Sequence, residues 1–426
     1  MIVPILLIAY DFHPFVGGGG SVRMVKLAKY LHRDGLPIIV LTGGFESKDA
    51  DPSLGSELEG ITISVANPHP VAPSVQDKAR RPRWLRVAGW VFRSVIPFPD
   101  NRFRYLPAML RRAKALILEH GIDTVLITSP PNSMSLLVPL LRRWRPNLKL
   151  VLDVRDMWAL DPLQTPNTAW FRWTQTHLER WTINQADRVV SVTPGFDAWI
   201  RQQLREPERA ALITNGYDEE DFGPDLPQPE PGGLVLGYAG ATGGISGPYS
   251  FQGILDALDK VLDRRPQLVG RLVLRIYGHN NRALAQRVAA MRHPEVVELC
   301  GFLAHRQVLR ALSACHILLN YMFTMPNGHL VYPGKTFEYL RLGRPILLAS
   351  PPGILRELIL ESGRGEAADG EDADGIAAAL ERMLDRLAQG GYPERPDFHL
   401  RYERGALARR YAGLLRELAA LPVNRR

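Results

Sequence analysis

The apolar positions fall into two patterns that alternate along most of the chain. Short, nearly unbroken apolar runs read as strands buried on both faces, and runs with apolar residues every three or four positions read as amphipathic helices. Ile2–Tyr10 is the first buried strand. The loop Asp11–Gly20 ends in four glycines, Gly17 to Gly20. Ser21 is placed to cap a helix whose inner side carries Val22, Val25, Leu27, Ala28 and Leu31 and which stops at Gly35. Ile38–Leu41, Ile61–Val65, Asp123–Thr128, Leu148–Asp153, Arg188–Val192 and Ala211–Ile213 read as further strands. Between them the helical period marks a helix from Asn132, as its cap, to about Arg143, one over Trp170–Gln185 and one over Phe196–Leu204.

Gly223–Gly233 interrupts this series with four prolines, three glycines and two acids, the composition of a linker. A second series follows. Its strands are Leu234–Gly240, Arg271–Tyr277, Ile317–Asn320 and Ile346–Ala349. Its helices are Phe251–Asp263, His305–Ala314, Lys335–Leu342, Pro352–Glu361 and Ile376–Ala388. A last amphipathic, basic stretch spans Arg401–Leu421. Strand–helix alternation implies parallel sheets, so the expected fold is α/β with two Rossmann-like domains. The expected organisation is a domain over 1–222, a linker over 223–233, a second domain over 234–400 and a terminal helix over 401–426.

Composition narrows the class. The chain has 426 residues and is 46% hydrophobic, enough for two cores and unlike a disordered protein. Two cysteines, Cys300 and Cys315, cannot build a disulfide framework or a zinc site, which fits a reducing cytoplasmic setting. MIVPILLIAYD lacks a basic leader and a small-residue cleavage site and reads as a strand, not a signal peptide. No run of apolar residues is long enough to cross a membrane.

The net charge of +8 favours anionic partners. It is concentrated in 78–114, where eleven Lys and Arg face one acid, Asp100, among Trp84, Trp90, Phe92, Phe98 and Phe103. Basic residues beside amphipathic aromatics suit an anionic membrane surface, so peripheral association through 78–114 is expected. Single-stranded nucleic acid is the weaker competitor, and a helical face with arginine stems over apolar surface is the plainest alternative.

Three stretches carry chemistry. In Tyr332–Ile346, YPGKTFEYLRLGRPI, Gly334 leads into a helix with Lys335 on its first turn and Gly343 as its stop. A helix start attracts phosphate and disfavours a cation; a diphosphate held between the helix start and the Lys335 ammonium would resolve that conflict. Glu338 lies one turn on, on the same face, able to accept from ribose hydroxyls; a surface Lys–Glu pair is the plainer reading. Asp153-Val154-Arg155-Asp156-Met157-Trp158 sits at a strand's carboxyl end, where open sheets bind ligands. There Arg155 could contact phosphate or carboxylate, Asp156 hydroxyls, and Trp158 could stack on a sugar, unless the group is a salt-bridge network holding loops. The glycine loops at Gly18, Gly19 and Gly20 and at Gly240, Thr242 and Gly243 could approach phosphate closely. The first lacks the dinucleotide spacing and no acid closes Ile38–Leu41, so NAD binding is not expected. Gly278-His279-Asn280 ends another strand; there the histidine fits a surface loop better than a ligand contact.

The order and spacing of these segments resemble the retaining, family-4-type glycosyltransferases of the GT-B fold (glycosyl transferases group 1). The resemblance runs through YPGKTFEY, the loop and helix in Tyr10–Tyr30, the RDxW segment at Arg155 (a subgroup of bacterial surface-polysaccharide assembly), Pro130-Pro131, and Asn215-Gly216-Tyr217-Asp218 closed by Phe222. It implies parallel sheets facing across a cleft. It also implies a nucleotide-sugar donor held by Lys335, Glu338, Gly334, Gly240, Thr242, Gly243 and Gly278, with the backbone of Phe302 and Leu303 at the nucleobase. Arg155 and Asp156 are assigned to the donor sugar or acceptor.

The chain departs from the family pattern at three places. Leu330 occupies the position of the first glutamate, eight residues before Glu338, with Asn327 or His329 as substitutes; Ala241 replaces an arginine, with no lysine before Lys260; and no histidine lies between Asp153 and Leu160. The implied activity is transfer of a sugar to an acceptor hydroxyl, a glycan or lipid-linked acceptor, with retention. No cofactor is expected, and no Asp-x-Asp pair that would argue for a metal is read in the sequence. A nucleotide-sugar 2-epimerase of the same fold and a non-catalytic nucleotide-sugar-binding protein remain alternatives.

Overall fold

The computed structural model describes residues 3–14, 19–44, 52–66, 99–100, 102–159, 168–240, 251–278, 282–393 and 395–420. The chain divides into two compact units, one of residues 1–214 with 404–426 and one of residues 215–403. The stretch 223–233 is part of the second unit, and the terminal helix is part of the first.

The first unit holds a seven-stranded, wholly parallel sheet in the order β3-β2-β1-β4-β5-β6-β7. Its strands are β1 (Ile5–Ile8), β2 (Ile38–Thr42), β3 (Thr62–Val65), β4 (Thr124–Ser129), β5 (Lys149–Val154), β6 (Arg188–Ser191) and β7 (Ala210–Leu212). β1, β2 and β4 are buried at every position, as the continuous apolar runs required. Alternate side chains serve opposite layers. Ile5 and Leu7 pack with Val25, Ala28 and Leu31 of α1 (Gly19–Arg33) and Tyr411 and Leu415 of the last helix, Arg404–Ala420. Leu6 and Ile8 pack with Met109 and Leu116 of α2 (Leu106–Glu119) and Val138 and Leu141 of α3 (Leu137–Trp144). The helices α4 (Ala169–Ile183) and α5 (Pro194–Gln203) complete this part.

Two local expectations change. α1 begins at Gly19, so Ser21 is a buried helical residue rather than its cap. Asn132 opens a 3-10 turn (Asn132–Leu136) and accepts from the Ser129 hydroxyl at 3.0 Å, instead of capping an α-helix.

The second unit holds six parallel strands in the order β10-β9-β8-β11-β12-β13. They are β8 (Leu234–Ala239), β9 (Leu272–Tyr277), β10 (Val297–Gly301), β11 (Ile317–Tyr321), β12 (Ile346–Ala349) and β13 (Gly365–Ala368). The helices are α6 (Gln252–Arg264), α7 (Arg282–Ala289), α8 (His305–Ser313), α9 (Lys335–Leu342), α10 (Ile354–Glu361) and α11 (Ala373–Ala388); the terminal helix of the first unit is α12. Leu236, Leu274, Leu319 and Leu347 face α6 and α11, while Leu318, Ile346 and Leu348 face α8, α9 and α10. In numbered order this sheet runs 3-2-1-4-5-6, the doubly wound arrangement, and the first sheet is the same arrangement with one strand added. Each sheet therefore has a switch point, between β1 and β4 and between β8 and β11, where such sheets bind ligands at the carboxyl ends.

Among the described residues no helix is long and apolar enough to cross a membrane.

Candidate functional site

The second unit places its candidate residues along the carboxyl edge of its sheet. Gly240 follows β8, Gly278 follows β9, and Phe302 and Leu303 follow β10. Gly240 and Gly278 have φ of 137° and 154°, and a Cβ on Gly278 would stand 2.6 Å from the Gly240 carbonyl oxygen. These glycines are needed for the two backbones to close together at the carboxyl ends of β8 and β9. Gly301 turns at φ 77°, which leaves the Phe302 ring 66% exposed, while Leu303 is half-buried against the core.

α9 begins and ends where its sequence pattern set it, with Gly343 at φ 67° as its stop. The Lys335 ammonium donates to the Ala239 carbonyl at 3.3 Å and lies 4.0 Å from the centre of the Tyr238 ring. It thus points at the carboxyl end of β8, at the switch point. Burial of the ammonium drives its pKa down to about 7, against a partial upward pull from Glu338. The side chain as a whole keeps some exposure, so its charge is poorly solvated without being sealed off. The amides of Thr336 and Phe337 donate to the Pro333 and Gly334 carbonyls at 3.0 and 3.3 Å. The helix start is therefore less bare than its sequence suggested.

Glu338 does not form the surface pair with Lys335 that spacing alone allowed. Its carboxylate meets His305 Nε2 at 2.9 Å, and His305 Nδ1 lies 3.8 Å from the buried Asp221 carboxylate. The imidazole sits between two carboxylates and fixes the rotamer of Glu338. Below the site, the Asn320 amide, fully buried on β11, donates to Thr336 Oγ1 at 3.0 Å, and its carbonyl oxygen has no hydrogen-bond partner. His305, Asp221 and Asn320 are functional candidates that the motifs did not mark. The available signal for His305 was a histidine at the first position of a helix, where the dipole disfavours a cation.

In the first unit Arg155 sits at the other switch point. Its Nε donates to Thr128 Oγ1 at 3.1 Å and its Nη2 to the Pro130 carbonyl at 2.7 Å, and burial holds its pKa below the usual value. Asp11, just past β1, is near enough for Arg102 and Arg155 to counter the upward shift that burial gives its carboxyl. Asp156 is exposed. Trp158 does not offer a stacking face: it is 2% exposed, and its indole N–H donates to Gln175. Glu179 accepts from the amides of Trp158 and Ala159 at 3.2 and 3.0 Å, and its burial raises its carboxyl to about 7. The RDxW segment is thus a loop clamped by Gln175 and Glu179, with Arg155 turned onto the carboxyl end of β4 and Asp156 at the surface.

Gly19 and Gly20 open α1. Gly18, Thr242, Gly243, His279 and residues 78–98 and 101 lie outside the described residues. Asn327 is left-handed at φ 59° beside the 3-10 turn Gly328–Leu330, and His329 is exposed. Two Asp-x-Asp pairs do occur: Asp49–Asp51 lies outside the described residues, and in Asp372–Asp374 the first caps α11 while Asp374 pairs with Lys260 and Arg264.

Two parallel sheets with doubly wound order, each carrying a basic residue at its switch point, define a GT-B architecture. The chain belongs to the glycosyltransferases of that fold: residues 18–216 match a glycosyl transferase 4-like domain and residues 238–386 the glycosyl transferases group 1 domain. No curated protein matches the sequence. Among solved structures, sucrose-phosphate synthase from Thermosynechococcus elongatus is 15% identical with TM-score 0.66, over 98% of this chain and 99% of that one. HepE from Anabaena, in complex with UDP and glucose, is 14% identical with TM-score 0.60, over 98% and 100%. WaaG, a glycosyltransferase involved in lipopolysaccharide biosynthesis, is 15% identical with TM-score 0.57, over 96% and 99%.

Proposed function

We propose that this chain transfers a sugar from a nucleoside-diphosphate donor to an acceptor hydroxyl with retention, in assembly of a bacterial surface glycan. One observation carries the reading: an under-solvated ammonium, Lys335, aimed at the carboxyl end of β8 at the switch point. The bond from the anomeric carbon to the β-phosphate oxygen breaks, and charge grows on that oxygen. A donor already in place stabilises such charge best. Lys335 and the start of α9 take this role without a divalent ion or other cofactor. The acceptor oxygen attacks from the same face, and its proton passes to the departing phosphate. Glu338, held by His305, accepts from the ribose hydroxyls, and Phe302 with Leu303 borders the base. Arg155 and Asp156 contact a sugar or the acceptor.

Lys335→Ala is expected to lower turnover about 100-fold or more with the circular-dichroism spectrum unchanged; turnover near wild type would refute the assignment. Leu330 in place of a glutamate favours the binding-only alternative, which calorimetry showing nucleotide binding without any turnover would support. A 2-epimerase would act on the nucleotide sugar with no acceptor present.

A lipid-linked acceptor and an anionic membrane surface fit the outer face of α4. Trp170, Trp173 and Trp181 are 54%, 53% and 51% exposed, with Trp170 stacked on Trp173 and Trp173 against His177. Arg172 and Arg180 are exposed beside them, and the one acid of the helix, Glu179, is buried. Indoles and guanidinium groups together suit the headgroup zone of an anionic bilayer. Flotation with phosphatidylglycerol vesicles should drop several-fold in a Trp170/Trp173/Trp181→Ser variant; equal flotation would remove this support.

A further inference from the structure

Five ionisable groups close a ring within the second unit, and Glu338 is one of them. Glu338 and Arg341 stand three residues apart on one face of α9. Glu219 and Asp221 belong to a single 3-10 turn, Glu219–Asp221. The Arg341 guanidinium makes a bidentate pair with Glu219 and covers the Phe222 ring at 5.1 Å. His305, the first residue of α8, closes the other side. Its Nε2 meets Glu338 Oε1 at 2.9 Å, and its Nδ1 lies 3.8 Å from the Asp221 carboxylate.

The turn is itself well held. The Asp218 carboxylate accepts from the Glu220 amide at 3.1 Å, and Phe222, buried, packs edge-on against Tyr217. The Arg341–Glu219 pair therefore fixes Asp221 relative to α9 without help from His305.

The ring matters because of the other course open to Glu338. Lys335 stands three residues before it on the same helix, a spacing at which an ammonium and a carboxylate pair. The two charges do interact, since Glu338 pulls the Lys335 pKa upward against burial. Yet the ammonium donates to the Ala239 carbonyl and the carboxylate meets His305. Which imidazole nitrogen carries a proton depends on what the other one faces. A carboxylate beside each nitrogen suits a ring with N–H on both sides, which donates from Nε2 to Glu338. Asp221 thus makes His305 a donor toward Glu338, and that contact keeps Glu338 off the ammonium. It engages Oε1 alone and the Glu338 side chain stays 22% exposed, so a hydroxyl can reach the second oxygen.

Resting on the reading of Glu338 as the ribose carboxylate, we infer that Asp221 is a positioning residue. Through His305 it holds Glu338 away from Lys335 and toward the ribose hydroxyls, so that the site selects ribonucleotide over deoxyribonucleotide donors.

The test is calorimetry on the full chain with UDP, GDP and ADP, followed by the 2′-deoxy and 3′-deoxy analogues of whichever binds most tightly. Wild-type protein should bind the ribonucleotide about 10-fold or more tighter than at least one analogue, the worth of a hydrogen bond to a charged group. Asp221→Asn and His305→Ala should each shrink that ratio to about 3-fold or less. His305→Gln, whose amide still donates to Glu338, should recover part of it. A merely structural disturbance weakens ribonucleotide and analogue alike and leaves the ratio as it was. The full wild-type ratio in either Asp221→Asn or His305→Ala overturns the proposal. Glu338→Gln separates this from failure of the underlying reading. If Glu338→Gln loses the preference while Asp221→Asn and His305→Ala keep it, only the role of Asp221 falls. If wild-type protein binds none of the nucleotides, or shows no preference for the ribonucleotide, the ribose reading falls and this inference with it.

Discussion

At the scale of single residues, the site is a matter of charges kept short of solvent. Lys335 is the plainest case, and His305 the least visible. His305 stands 33 positions before Glu338 in sequence, and only the folded chain brings its Nε2 to 2.9 Å from that carboxylate. No periodicity encodes such a pairing, whereas Lys335 and Glu338 share one helix turn and were legible at once. His305→Ala should free the Glu338 rotamer, raising KM for the donor about 5- to 30-fold, in line with roughly 1–2 kcal/mol for a hydrogen bond to a charged group. His305→Gln should recover part of that loss, and an unchanged KM in both variants would show the contact to be incidental. Trp158 teaches the converse. An aromatic residue beside Arg and Asp at a strand end looked exposed to sugar, but in the fold its ring is needed to seal the loop over Gln175 and Glu179.

At the scale of elements, strands with strong apolar runs and helices with clear stops were legible almost to the residue. α9 and β12 match their expected bounds at both ends, because Gly343 demands a left-handed stop and Pro345 precedes a buried run. β13, Gly-Glu-Ala-Ala, was not legible. An edge strand buried mainly at one residue carries no hydrophobic signal, and its pairing with β12 supplies what its sequence lacks. β10, Val-Glu-Leu-Cys-Gly at the other edge, alternates over only Val297 and Leu299, too short a pattern to stand out. α1 starts at Gly19, so Ser21 lies buried inside the helix and not at its cap.

One buried contact ties several of these elements together. Asp153 on β5 accepts from Arg23 of α1 at 2.9 Å, from Tyr411 of α12 at 3.1 Å and from Thr128 of β4 at 3.3 Å. Arg23 also donates to the Thr214 and Ile213 carbonyls at 2.7 and 3.0 Å. Removing the carboxylate strands a buried guanidinium. Asp153→Ala should therefore cost about 3–5 kcal/mol in denaturant unfolding; a loss below about 1 kcal/mol would mean that Arg23 finds solvent or another acceptor.

At the scale of the molecule, the α/β class, the two parallel sheets and the glycosyltransferase family were all legible from the order of segments. The roles of single residues were less so, since Gly240 and Gly278 make a close backbone contact that only three-dimensional strand order explains. Lys335 links the scales. Between about pH 7 and its ordinary 10.5 the unfolded chain holds a proton on this lysine that the folded chain lacks, so this residue makes stability rise with pH across that window. A diphosphate seated against the ammonium reverses the preference and favours the charged form.

The most direct measurement is therefore proton uptake on nucleotide binding. At pH 8, titrate the nucleoside diphosphate that gives the largest thermal shift, by calorimetry in buffers of different ionisation enthalpy. Wild-type protein should take up close to one proton per nucleotide bound, and Lys335→Met none. Equal uptake in the two proteins, or none in either, would contradict the claim that this lysine grips the departing phosphate.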